Sequence, residues 1–294
     1  MVREDMRLVC LGFGYSAHAF LRAARPASVV GTTRSEAKAD ELHQRGVRSV
    51  LYGGEPSATL REAVRTATHV LVSAAPGRDG DPFLHALDRD FAAAGNLRWI
   101  GYLSTVGVYG DHHGAWVDER AACTPNSDRG EWRLEAEAAW AALGRRLKVP
   151  VATFRLAGIY GPGRNQFVSL SEGTAKRIVK EGQVFNRIHV EDIASVVLAS
   201  ALRPASRVYN VADDEPAPPQ DVVLFAAGLM GVEPPPEVRF EDAELSTMAR
   251  SFYGEVKRID NSRIRTELCV SLSYPTYREG LRALWESGSW RERL

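Results

Sequence analysis

Short apolar runs recur along the first half of the chain, separated by segments in which apolar residues return every three or four positions. Residues 8–11, 28–31, 47–51, 69–72, 98–103 and 151–154 form six such runs, each short enough for a buried strand. Between them, the spacing of Phe83, Leu84, Leu87 and Phe91 predicts a helical segment. A longer helix follows Pro125, with Trp132, Ala136, Ala139, Trp140, Leu143 and Leu147 on one face, and Gly144 and Pro150 mark its far end. Strands that alternate with helices in this way build a parallel sheet covered on both faces. Right-handed crossovers then give a doubly wound order.

Beyond about Pro162 the alternation loosens. Residues 191–202 read as a helix and residues 208–211 as one more strand returning to the main sheet. Residues 215–219 and 233–236 are rich in proline and read as breaks. The expected architecture is therefore α/β, a doubly wound parallel sheet with a smaller C-terminal lobe. The division expected is 1–162 for the sheet domain, rejoined by 187–212, and 163–294 mainly for the lobe.

Composition narrows the partners. Lys+Arg and Asp+Glu balance at 37 each in 294 residues, which points to neither nucleic acid nor membrane. No stretch reaches the apolar length that spans a bilayer. The three cysteines, Cys10, Cys123 and Cys269, are widely spaced and form no C-x-x-C, so a reducing compartment without structural disulfides is expected. Residues 1–5 do not read as a secretory leader, and a cytoplasmic location is the expectation. No carboxylate–histidine spacing suggests a metal site.

The first apolar run ends directly in Gly12-Phe13-Gly14-Tyr15-Ser16-Ala17, a G-x-G-x-x-A between a strand and a helix. In such a loop the first glycine allows the turn and the second lets backbone approach a pyrophosphate. The small third residue lets helix and strand pack closely, and the helix N-terminus offers N–H groups to phosphate. A bare glycine turn is the alternative, and placement in the first βα unit favours the dinucleotide. The second run leads into Gly31-Thr32-Thr33-Arg34-Ser35, with no acid at its tip. A carboxylate there would hold a ribose 2′-hydroxyl, whereas Arg34 can pair with a 2′-phosphate, helped by the hydroxyls of Thr33 and Ser35. NADP is expected rather than NAD. The alternative leaves Arg34 solvated and Ser35 capping the next helix.

Longer blocks carry a family resemblance over nearly the whole chain: residues 12–17, Tyr102 to Asp111, Arg155 to Arg164, Arg187 to Ala194, Tyr209 to Asp213, and Tyr274 to Gly280. In this order they resemble the extended short-chain dehydrogenase/reductase superfamily, the NAD-dependent epimerase/dehydratase group, and more closely its atypical YeeZ-like branch. The resemblance implies a Rossmann domain with a substrate lobe, and an NADP(H)-dependent oxidoreductase or epimerase for a small polar or nucleotide-sugar substrate. It implies that Ser73, Ala74, Ala75 and Pro76 run beside the cofactor's ribose and pyrophosphate, and that Thr105 and Leu156 flank the nicotinamide. Extended members often dimerise through a four-helix contact, which here would include the helix after Pro125.

The same resemblance implies three catalytic roles. A Ser or Thr four residues before the tyrosine of V-Y-G falls on Thr105, with Ser104 as the neighbouring alternative. The Tyr and Lys of a Y-x-x-x-K helix fall on Arg129 and Arg133, one turn apart. Arginine cannot exchange a proton as tyrosine does. The two arginines would suit an anion, or would pair with Glu131, Glu135 or Glu137 on a solvated face. Tyr109 and His113 are the expected replacement proton carriers, and Arg164 and His189 the expected substrate contacts. For His189 the alternative is a backbone hydrogen bond, with Asp192 capping its helix. A catalytically silent NADP(H)-binding regulator or scaffold is the competing function.

Overall fold

In a computed structural model, residues 3–292 are described. The central sheet has seven strands. Five are β1 (Arg3–Leu11), β2 (Pro26–Thr33), β3 (Arg48–Leu51), β4 (His69–Val72) and β5 (Trp99–Thr105). The remaining two are Val151–Leu156 and Arg207–Val211. Their spatial order runs Arg207–Val211, Val151–Leu156, β5, β4, β1, β2, β3. β1 pairs in parallel with β2 and β4, β2 with β3, and β4 with β5. The chain thus winds outward from β1 in one direction and from β4 in the other. The reversal lies between β1 and β4, where open α/β sheets place their ligand beyond the strand carboxyl ends.

Two compact units emerge. The first comprises residues 1–105, 128–155 and 194–209, and the second 106–127, 156–193 and 210–294. In the first, alternate strand residues go to opposite faces. Val9, Leu11, Val70, Val72, Ile100 and Tyr102 join one core with Leu60, Phe91, Trp140 and Leu143. The helices concerned are α3 (Ala58–Thr66), α4 (Asp88–Ala92) and α5 (Asp128–Leu147). On the other face Trp99 stacks on Phe20 of α1 (Tyr15–Ala24) and donates its indole N–H to Ser200 Oγ at 3.2 Å. Trp140 and Leu143 are thus core residues. The helical spacing around Phe83 is realised as turns, and regular helix spans only Asp88–Ala92. Asp81 Oδ1 accepts the N–H groups of Phe83 and Leu84 as a helix N-cap does, and Leu87 N–H returns to Phe83 O in the turn that follows.

The second unit holds three two-stranded parallel pairs: Gly158–Tyr160 with Arg187–His189, Arg177–Val179 with Glu237–Arg239, and Trp116–Val117 with Arg258–Ile259. Its main core gathers Tyr160, Phe167, Val222, Ala226, Tyr277 and Leu281. The helix Tyr277–Glu286 starts in a capping box between Thr276 and Glu279. Among the described residues, no helix is long and apolar enough to cross a membrane.

Candidate functional site

The loop after β1 is built around its glycines. Gly12 has φ +83°, and a Cβ there would sit 2.7 Å from the backbone nitrogen of Ala74. That close approach joins the β1 and β4 loops at the switch point. Ser73 Oγ donates to Gly12 O at 2.7 Å, and the N–H groups of Ser73 and Ala74 donate to Leu11 O. From the other side, Gly12 N–H donates to Thr32 Oγ1 at 2.6 Å and Phe13 N–H to Thr32 O. Gly14 is different. It is the N-cap of α1 in extended conformation, and a Cβ added to it would meet nothing within 4 Å. No side chain caps the helix and no acid occupies its first turn. Ala17 packs with no exposed surface. The uncapped N–H groups and the open space over Gly14 fit a pyrophosphate, and a carboxylate that would repel it is missing from that turn. Ser16 is buried there, Tyr15 is half-buried, and the Ala75–Pro76 stretch continues from the β4 end.

At the tip of β2, Arg34 is exposed and has no hydrogen-bond or ion-pair partner among the described residues. Ser35 Oγ caps α2 (Glu36–Gln44) through Lys38 N–H at 3.4 Å, and Ser35 N–H reaches Thr33 Oγ1 at 3.3 Å. Ser35 thus fills the capping role, with two long bonds, while the arginine beside it stays open to an anion.

At the carboxyl end of β5 the two hydroxyls part company. Ser104 is buried and donates to Glu137 Oε1 at 2.5 Å. Glu137 also takes Arg155, Nη2 at 2.7 Å and Nε at 3.2 and 3.3 Å, with both side chains under a tenth exposed. Thr105, next along the strand, lies on the opposite face and is half-buried. Ser104 is therefore committed to the interior network.

Arg129, Arg133 and Glu137 lie one turn apart along α5. Arg129 is exposed. Arg133 Nη1 donates to Leu103 O, and its guanidinium carbon stands 5.9 Å over the Tyr102 ring. Burial pushes the Tyr102 hydroxyl up to about 12, with Arg133 pulling the other way. Nearby, Asp81 Oδ2 accepts Trp140 Nε1–H at 2.8 Å, and burial raises its carboxyl against that bond. Glu137, read from sequence as one acid on a solvated face, turns instead to Arg155.

The second unit carries the other expected residues. Tyr109 has no exposed surface and donates its hydroxyl to Asn210 Oδ1 at 2.7 Å. Asn210 in turn donates its side-chain amide to Asp260 O, while its backbone N–H donates to Glu119 Oε1. The tyrosine thus fastens a buried polar cluster. Gly110 follows at φ +69°, where a Cβ would come 1.9 Å from Thr124 O. The turn then presents His113, whose Nδ1 lies 2.9 Å from Asp111 Oδ2 and whose side chain is 91% exposed. His113 adopts φ +51°, uncommon for a residue with a Cβ. Asp111 is held by the N–H groups of Val256 and His113, which depress its carboxyl. Leu156 is buried at its strand end, and Arg164 is exposed in the turn closed by Gly161. His189 is buried, accepts Glu191 N–H on Nδ1 at 3.3 Å, and lies 4.0 Å from the Tyr274 ring. Asp192 accepts Ser273 and Tyr274 N–H groups, so it ties down that loop and does not cap its own helix. Among the described residues no group of three or more His, Cys, Asp or Glu could hold a metal.

Solved structures of nucleotide-sugar epimerases and dehydratases share this fold. UDP-glucuronic acid 4-epimerase from Bacillus cereus in complex with NAD superposes with TM-score 0.74 at 17% identity, covering 97% of this chain and 99% of that one. A dTDP-glucose 4,6-dehydratase, DesIV from Streptomyces venezuelae, with NAD and DAU bound, gives 0.74 at 17%, covering 98% and 99%. A functionally unknown conserved protein from Silicibacter pomeroyi gives 0.85 at 48% identity, covering 96% and 98%. The chain belongs to the family of that Silicibacter protein. No protein-family model and no curated protein matches the sequence.

Proposed function

We propose that the chain is an NADP(H)-dependent oxidoreductase or epimerase of the extended short-chain dehydrogenase type, on its atypical YeeZ-like branch, acting on a small polar or nucleotide-sugar substrate. The observation that carries the reading is the cradle at the switch point: uncapped α1, open space over Gly14, and partnerless Arg34 at the β2 tip. Gly12, Gly14, Tyr15, Ser16 and Ala17 would hold the pyrophosphate, with Ser73 to Pro76 beside it. Thr33, Arg34 and Ser35 would take the 2′-phosphate, which favours NADP over NAD. Bound there, a nicotinamide supplies the hydride chemistry.

Arginines occupy both dyad positions, so proton transfer falls to other groups. Thr105 orients the reacting oxygen. Of the two carriers, His113 is favoured: Asp111 orients its Nδ1 and Nε2 remains at the surface, whereas the Tyr109 proton is engaged by Asn210. Turnover of carbonyl and sugar substrates with NADPH, abolished by Thr105→Val while NADPH binding is retained, is the test. Nucleotide binding without turnover of any such substrate favours the second reading, a silent NADP(H)-binding regulator, which the two arginines support.

A further inference from the structure

Arg133 is anchored without a direct ion pair among the described residues. One N–H is spent on Leu103 O and the guanidinium carbon lies over Tyr102. The side chain is half-buried, yet no carboxylate pairs with it among the described residues. Two carboxylates stand near it: Glu137 is ion-paired with Arg155, and Asp81 acts on Arg133 through space without a direct ion pair. Glu137, one turn on, binds Arg155 and Ser104, and Asp81 binds Trp140 and the N–H groups of Phe83 and Leu84. Removing a guanidinium from water costs free energy unless an anion compensates it. A planar guanidinium with donors to spare is suited to a two-oxygen anion. Leu103 O, which fixes it, and Tyr102, which it covers, place Arg133 on the Ser104 face of β5 near the strand's carboxyl end.

We infer that Arg133 is the receptor for an oxyanion, a carboxylate or a phosphate, bound on the α5 side of the carboxyl end of β5. On the function proposed above, one source of that group is the substrate. The anion has a second source in the cofactor's own phosphates, and the experiment separates the two.

Calorimetry and thermal shift on the full chain, with inorganic phosphate and malonate as probes, would be run without nucleotide and at saturating NADPH. Wild type should bind at least one probe, Arg133→Gln should bind it at least tenfold more weakly, and Arg133→Lys should fall between. Probe binding that survives saturating NADPH, with NADPH affinity unchanged in Arg133→Gln, assigns the anion to the substrate. Probe binding abolished by NADPH, with NADPH affinity lowered in the variant, assigns it to the cofactor. Both outcomes support the oxyanion site. Equal probe affinity in wild type and a folded Arg133→Gln, or in Arg133→Lys should the glutamine variant not fold, overturns it. Failure of NADPH to bind would sink the nucleotide reading and leave the probe titration standing as its own test.

Discussion

Gly12 and Gly14 stand two residues apart after β1, and alanine should injure them in opposite ways. At Gly12 the backbone is left-handed, φ +83°, and the new methyl would lie 2.7 Å from Ala74 N. A left-handed residue with a Cβ costs about 1–2 kcal/mol, and the overpacking adds about 1–3 kcal/mol. Gly12→Ala should therefore lose roughly 2–5 kcal/mol of stability. Gly14 has φ −104°, ψ −168°, a conformation open to any residue, and its methyl would touch nothing. The fold loses only the difference between Gly and Ala as a helix N-cap, up to about 1 kcal/mol. The methyl does, however, enter the space assigned to the pyrophosphate. A tenfold or greater loss of NADPH affinity, at least about 1.4 kcal/mol, is expected. Urea denaturation and calorimetric titration of both variants form the assay. A Gly14→Ala protein that binds NADPH like wild type would refute the claim that this glycine is kept for a ligand. One that unfolds would refute the claim that the fold does not need it.

Three more perturbations follow. Arg34→Ala should weaken NADPH binding tenfold or more and leave NADH binding unchanged, by calorimetry; equal losses for both would remove Arg34 from the 2′-phosphate. Glu137→Ala takes the paired carboxylate from the buried Arg155 guanidinium and should cost about 3–5 kcal/mol in denaturant unfolding, whereas replacing Glu137 and Arg155 together by Gln and Met should cost less than the single change. Burial raises the Asp213 carboxyl to about 8, against the pull of Arg187 and the Glu215 N–H. The folded chain then keeps a proton that the unfolded chain releases above about pH 4, so this group's contribution to stability falls as pH rises from about 4 to about 8. Asp213→Asn should flatten that slope in pH-dependent unfolding; an unchanged slope would show that Asp213 ionises normally.

Much of the fold was legible because the sheet is buried on both faces. Runs such as Val70-Leu71-Val72 are then continuously apolar and stand out without alternation. The glycine loop was equally plain, since its signal is local. The three small strand pairs of the second unit were not legible: two or three residues such as Trp116–Val117 carry no periodicity. At the candidate site, charged residues misled. Glu137 reads as solvated by type, and only packing reveals that Arg155, from a distant strand, buries it. The partner of Tyr109, Asn210, lies 101 residues away, and no local pattern announces that bond. Ser104 and Thr105 are chemically near-equivalent in sequence, and strand alternation alone sends one to Glu137 and the other to the opposite face.

The most direct measurement is a parallel calorimetric titration of nucleotide-free protein with NADP⁺, NADPH, NAD⁺ and NADH. Micromolar binding of NADP(H) with much weaker NAD(H) is the predicted result, and it would join the glycine cradle to Arg34. No binding of any of the four to folded protein would contradict the account and turn attention to partner proteins.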